Sequence, residues 1–114
     1  MVTMRLVTAI PSTRPIRLLI VDDHPVVREG LSAVLSATKD VQVVAEAGNA
    51  EEAVSTYLAH RPDVVLMDLR LPRIDGVAAL TMLRDHDPRA RVIMLSSQEG
   101  DGDIGRALKA GALG

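Results

Sequence analysis

Short apolar runs alternate with helically spaced apolar positions along most of this chain. Ile16–Val21, Val41–Glu46, Asp63–Met67 and Arg91–Leu95 have the length and apolar density of buried strands. The first is nearly continuous in apolar character, which suits a parallel strand covered on both faces. Between the runs the period changes. Val27, Leu31, Val34 and Leu35 form one inward-facing stripe, Ala53, Val54, Tyr57 and Leu58 a second, and Val77, Leu80 and Leu83 a third. Pro25 opens the first helix, where its missing N–H costs nothing. Asn49 caps the second, and Glu52 three residues on completes a capping box. Arg61-Pro62 ends that helix. Leu71–Gly76 reads as a loop, and Pro88 interrupts before the fourth strand. Gly100, Gly102 and Gly105 make a loose acidic connection to a last short helix around Ile104–Ala110.

The element order is βαβαβαβα. Such alternation with short connections predicts an α/β fold, a doubly wound parallel sheet with helices on both faces. Residues 1–15, broken by Pro11 and Pro15, are expected to form a flexible leader, and 16–114 a single domain.

Composition narrows the function. A net charge of −2 over 114 residues argues against an electrostatic grip on nucleic acid or anionic lipid. The absence of cysteine excludes disulfides and thiolate metal sites, and is compatible with a cytoplasmic location. No apolar run approaches the roughly 18 residues a membrane span needs. Tyr57 is the only aromatic residue, so the core must come from Val, Leu, Ile, Ala and Met, with Met67 and Met94 as fillers.

The polar residues at the ends of the apolar runs carry the chemistry. Asp22 and Asp23 close the first run, Asp68 the third and Ser96 the fourth. In a parallel sheet these positions meet at one edge, where open α/β folds bind ligands. Three carboxylates held together repel one another and call for a hard cation, Mg²⁺ or Mn²⁺. Neither GxxxxGK[ST] nor GxGxxG follows the first strand, so a nucleotide loop is not expected. His24 marks a helix start. His60 and His86 are expected at the surface. Pro72 and Gly76 shape the loop after Asp68.

Leu18-Leu19-Ile20-Val21-Asp22-Asp23-His24-Pro25, Pro62-Asp63-Val64-Val65-Leu66-Met67-Asp68, Asp75-Gly76 and Met94-Leu95-Ser96, in this order, resemble the receiver domain of bacterial two-component response regulators. The stretches from Asp22 to Leu31 and from Ala107 to Ala112 look most like the NarL/FixJ (LuxR-type) branch. The resemblance implies a flavodoxin-like receiver fold with Asp68 as phosphoacceptor and a sensor histidine kinase as donor. It further implies Mg²⁺ held by Asp23, Asp68 and the backbone carbonyl of Arg70, with Asp22 acting through water. Ser96 would sense the phosphoryl group. The output domain of that branch usually binds DNA, and direct nucleic-acid binding is not expected of this chain.

Receivers also use a lysine at the end of a fifth strand, and Lys109 precedes that position. The expected architecture is therefore (βα)4 without the fifth unit, with the fourth strand as a sheet edge. Such an edge predicts homodimerisation or other self-association. Two rival readings stand beside the phosphoacceptor. One is a receiver-shaped interaction or dimerisation module that is not phosphorylated. The other is a Mg²⁺-dependent phosphohydrolase, disfavoured because no second acid lies two residues after Asp68.

Overall fold

The computed structural model describes residues 14–95, and the leader up to Thr13, Ser96, Lys109 and the helix around Ile104–Ala110 lie outside the described residues. Within them the chain forms β1 (Ile16–Val21), α1 (Pro25–Ser36), β2 (Val41–Ala47), α2 (Ala50–His60), β3 (Val64–Asp68), α3 (Gly76–His86) and β4 (Val92–Leu95). The strands build one parallel sheet in the order β2-β1-β3-β4. The chain thus leaves β1 toward one edge and crosses back past it from β2 to β3. That reversal puts a topological switch point between β1 and β3, beyond their C-terminal ends.

Alternate residues of β1 and β3 face opposite layers. Leu19, Val21, Val65 and Met67 pack with Ala53 and Tyr57 of α2 and with Ala79, Leu80 and Leu83 of α3. Leu18, Ile20 and Val64 face the other side, where Leu31 and Leu35 of α1 meet them. Leu19, Ile20, Val65, Met67, Leu80 and Leu83 are fully buried, each contributing about 2 kcal/mol by leaving water. The sheet has one irregularity. Leu18 pairs with Val43 but Leu19 pairs with Ala45, so Val44 is an extra residue in β2.

The helix ends follow their local chemistry. Asn49 accepts from the Glu52 N–H at 2.9 Å, while Glu52 Oε1 accepts from the Gly48 N–H at 2.8 Å, one residue before the position of a standard capping box. Arg61, with φ at 47°, closes α2 in the left-handed region, its N–H donating to the Tyr57 carbonyl at 2.7 Å before Pro62 redirects the chain. Asp75 caps α3 by accepting from the Ala78 N–H at 2.9 Å.

Two expected stripes are narrower than predicted. No residue of α1 is fully buried; Val27 and Val34 are exposed, and only Leu31 and Leu35 of the stripe reach the sheet. Among the described helices α1 stands alone on its face, so it meets a single flat surface and covers only a narrow arc. Beside it, Leu18, Leu35, Val64, Leu66, Ile93 and Leu95 line an apolar groove of about 260 Å³. Leu58 of α2 is likewise exposed, because α2 turns Ala53 and Tyr57 toward α3 instead.

Candidate functional site

Asp22, Asp23 and His24 follow β1, and Asp68 is the last residue of β3. Parallel pairing of Val21 with Met67 brings the two strand ends level. One ligand atom from each of Asp22, Asp23, His24 and Asp68 lies within 4.8 Å of all the others. The three carboxylates expected to converge do so, at the switch point. Ser96 lies outside the described residues.

Each acid has a different environment. Asp22 is buried, with its backbone and one carboxylate oxygen engaged. Its N–H donates to the Ala47 carbonyl at 3.0 Å, and its Oδ1 accepts from the His24 backbone N–H at 2.8 Å and from His24 Nδ1 at 2.9 Å. A carboxylate only accepts, so Nδ1 carries the ring proton. Asp23 is half-buried. Its Oδ1 lies 3.0 Å from His24 Nδ1, yet the ring's hydrogen bond goes to Asp22, and this oxygen is shut off from solvent without a hydrogen bond. Asp68 is 9% exposed, and its Oδ1 accepts from the Arg70 N–H at 2.9 Å.

The electrostatics follow from this crowding. Burial, assisted by the charges of Asp22 and Asp23, pushes the Asp68 carboxyl above the usual carboxylate range, against the opposing Arg70 N–H. The hydrogen bond to Asp22, then the charge of Asp23, raises the His24 imidazole above its ordinary value. A buried carboxylate oxygen without a donor, between two further carboxylates, fits a hard cation that prefers oxygen ligands. Asp23 and Asp68 are the residues best placed to hold one, while the engaged Oδ1 of Asp22 suits a supporting role.

The floor under Asp68 is built by Gly76. A Cβ at Gly76 would collide with the Asp68 carbonyl oxygen and stand 2.8 Å from Leu69 Cα. Its N–H donates to the Leu69 carbonyl at 2.9 Å. No side chain fits there, because two of the three obstructing atoms are backbone and the third is Met94 Cε at 2.8 Å.

Two residues near the acids were not singled out from the sequence as parts of the site. His24 sits at the N-cap of α1 as expected of a helix start, but its ring also joins the acidic cluster. Arg28 donates from Nη1 to the Asp22 carbonyl at 2.6 Å. Its position one turn into the helix that follows the acids was the available signal. His60 and His86 are exposed, as expected.

This fold and site define a phosphoacceptor receiver module, and comparison with known proteins agrees. The response regulator receiver domain family matches residues 18–114, and the chain belongs to that family. It is 42% identical over 96 residues to the response regulator protein VraR of Staphylococcus aureus, covering 84% of this chain and 46% of VraR. The chain therefore spans about half the length of the curated relatives it matches. It superposes with a TM-score of 0.83 on a LuxR-family two-component response regulator from Aurantimonas sp. SI85-9A1, at 39% identity over 86% of this chain and 70% of that one. The CheX–CheY–BeF3–Mg²⁺ complex from Borrelia burgdorferi matches with a TM-score of 0.79 and 31% identity, over 87% of this chain and 75% of that one. Receiver domains are signalling domains rather than classical enzymes.

Proposed function

We propose that Asp68 accepts a phosphoryl group from the phosphohistidine of a sensor histidine kinase, with a divalent cation at Asp23 and Asp68. The observation that carries this reading is the buried Asp68 carboxylate at the end of β3, within 4.8 Å of the Asp22 and Asp23 oxygens. A carboxylate oxygen of Asp68 attacks phosphorus. The P–N bond breaks, its electron pair stays on the kinase imidazole, and an acyl phosphate forms on Asp68. The Arg70 N–H fixes one Asp68 oxygen, so the side chain is oriented before the donor arrives.

Mg²⁺ or Mn²⁺, when bound, would neutralise charge on the transferring oxygens. Asp23 and Asp68 would hold it, Asp22 would support it through water, and the Arg70 carbonyl would complete the protein ligands. Ser96 would hydrogen-bond the new phosphoryl group, and the surface around it would relay the change to an output, DNA-binding in the branch this chain resembles. A cytoplasmic location accords with a kinase donor. No helix among the described residues is long and apolar enough to cross a membrane.

Phosphorylation by a small-molecule donor tests the chemistry. The product should form only with Mg²⁺, fail to form when a chelator is present from the start, and be cleaved by hydroxylamine as an acyl phosphate is. A phosphorylated product resistant to hydroxylamine would place the group on another residue type.

Homodimerisation belongs to the same proposal. Among the described residues, the apolar groove beside α1 and the exposed Val26, Val27 and Val34 offer apolar surface that a second copy can cover.

A further inference from the structure

We infer that Arg28 is a positioning residue for cation binding: its guanidinium, oriented by Glu46, fixes the peptide unit that joins Asp22 to Asp23. The inference rests on the reading of Asp23 as a cation ligand. Arg28 stands in the first turns of α1, and its side chain is only 21% exposed. Nη1 donates to the Asp22 carbonyl oxygen at 2.6 Å. Nε donates to Glu46 Oε1 of β2 at 3.2 Å.

The carbonyl that Arg28 holds belongs to the Asp22–Asp23 peptide plane, and the orientation of that plane sets the direction in which Asp23 leaves the backbone. On the other side of Asp22, its N–H is held by the Ala47 carbonyl at 3.0 Å. Asp22 is thus anchored at both ends to groups on or near β2. The Asp23 Oδ1 has no such anchor: it is buried without a hydrogen bond, 3.0 Å from the His24 ring and among the oxygens of Asp22 and Asp68. The placement of this oxygen therefore depends on the backbone that carries it.

The turn after β2 leaves room for the guanidinium. A Cβ at Gly48 would stand 3.3 Å from Arg28 Nη1 and 3.5 Å from Glu52 Oε1. The geometry also separates positioning from charge neutralisation. The Arg28 hydrogen bonds go to a carbonyl oxygen and to Glu46, not to the carboxylates of the cluster.

The test is Mn²⁺ affinity, read from the electron paramagnetic resonance signal of free Mn²⁺, on the whole chain and on Arg28→Met, Arg28→Lys, Glu46→Gln and Asp23→Asn. Loss of a charge-assisted hydrogen bond in Arg28→Met should weaken Mn²⁺ binding by about tenfold. Glu46→Gln should weaken it by about threefold, because Arg28 keeps its donor but loses its orientation. Arg28→Lys should fall between the unmodified chain and Arg28→Met, since lysine supplies a donor without the fork. The metal-free melting temperature should move little in all three, as no residue of α1 is fully buried. A folded Arg28→Met that binds Mn²⁺ within about twofold of the unmodified chain, beside an Asp23→Asn that has lost it, overturns the Arg28 inference alone. Unchanged binding in Asp23→Asn overturns the cation reading and this inference with it. Should Arg28→Met fail to fold, unchanged affinity in Glu46→Gln overturns the inference.

Discussion

Asp68 combines two demands that oppose each other. The reaction needs it ionised, while burial and two neighbouring carboxylates favour its protonated form. The folded state therefore holds the Asp68 proton more tightly than the unfolded chain does. Its contribution to stability is complete below the unfolded pKa and is lost as pH rises through the raised folded value. At neutral pH without a divalent cation, Asp68→Asn should melt at a higher temperature than the unmodified chain. That gain should shrink as the pH falls toward about 3, where the unfolded carboxyl is also protonated. A melting curve at each pH checks this, and an Asn variant less stable at neutral pH would contradict it. The three acids and their meeting at one sheet edge were legible in the sequence, because each closes an apolar run. The grip on them was not. Arg28 and the His24 ring reach Asp22 through side-chain geometry, which periodicity does not encode.

At the scale of elements, α2 and the connection after α3 meet at Asp87, which takes the Tyr57 hydroxyl and an ion pair from Arg61 at 3.9 Å. Tyr57 is buried at 4% exposure, and its hydroxyl donates to Asp87 Oδ2 at 2.7 Å. Burial first, then the hydrogen bond to Asp87, pushes the phenol up to about 12. Tyr57→Phe should cost about 1 kcal/mol in urea unfolding at neutral pH. Above an unfolded phenol pKa of about 10, the unfolded chain ionises first, so the Tyr57 contribution is lost as pH rises toward the folded value. The Phe variant should lack that part of the alkaline decline, and identical pH profiles for the two chains would contradict the role of the hydroxyl. The sequence marked Tyr57 as part of an inward stripe, correctly for the ring. Its partner thirty positions away had no local signal. The strands and the three helices among the described residues were legible to within a residue or two, since each apolar run ends at a polar or turn residue. The inward face of α1 was overdrawn. Periodicity shows which side of a helix is apolar, but not how much of that side finds a neighbour.

At the scale of the whole molecule, the described residues cover the sheet unevenly. α2 and α3 together seal one side of the sheet, whereas α1 meets the other with Leu31 and Leu35 beside an apolar groove. Sedimentation over a range of concentrations should show a monomer–dimer equilibrium, weakened by Ile93→Thr in the groove. A concentration-independent monomer would remove homodimerisation from the proposal. The proposed chemistry turns on Asp68 itself. Its direct test is intact mass after incubation with Mg²⁺ and a small-molecule phosphodonor, beside Asp68→Asn. One phosphoryl group should add to the unmodified chain and none to the variant. A folded, unmodified chain that gains nothing, or a variant that gains the same group, would contradict it.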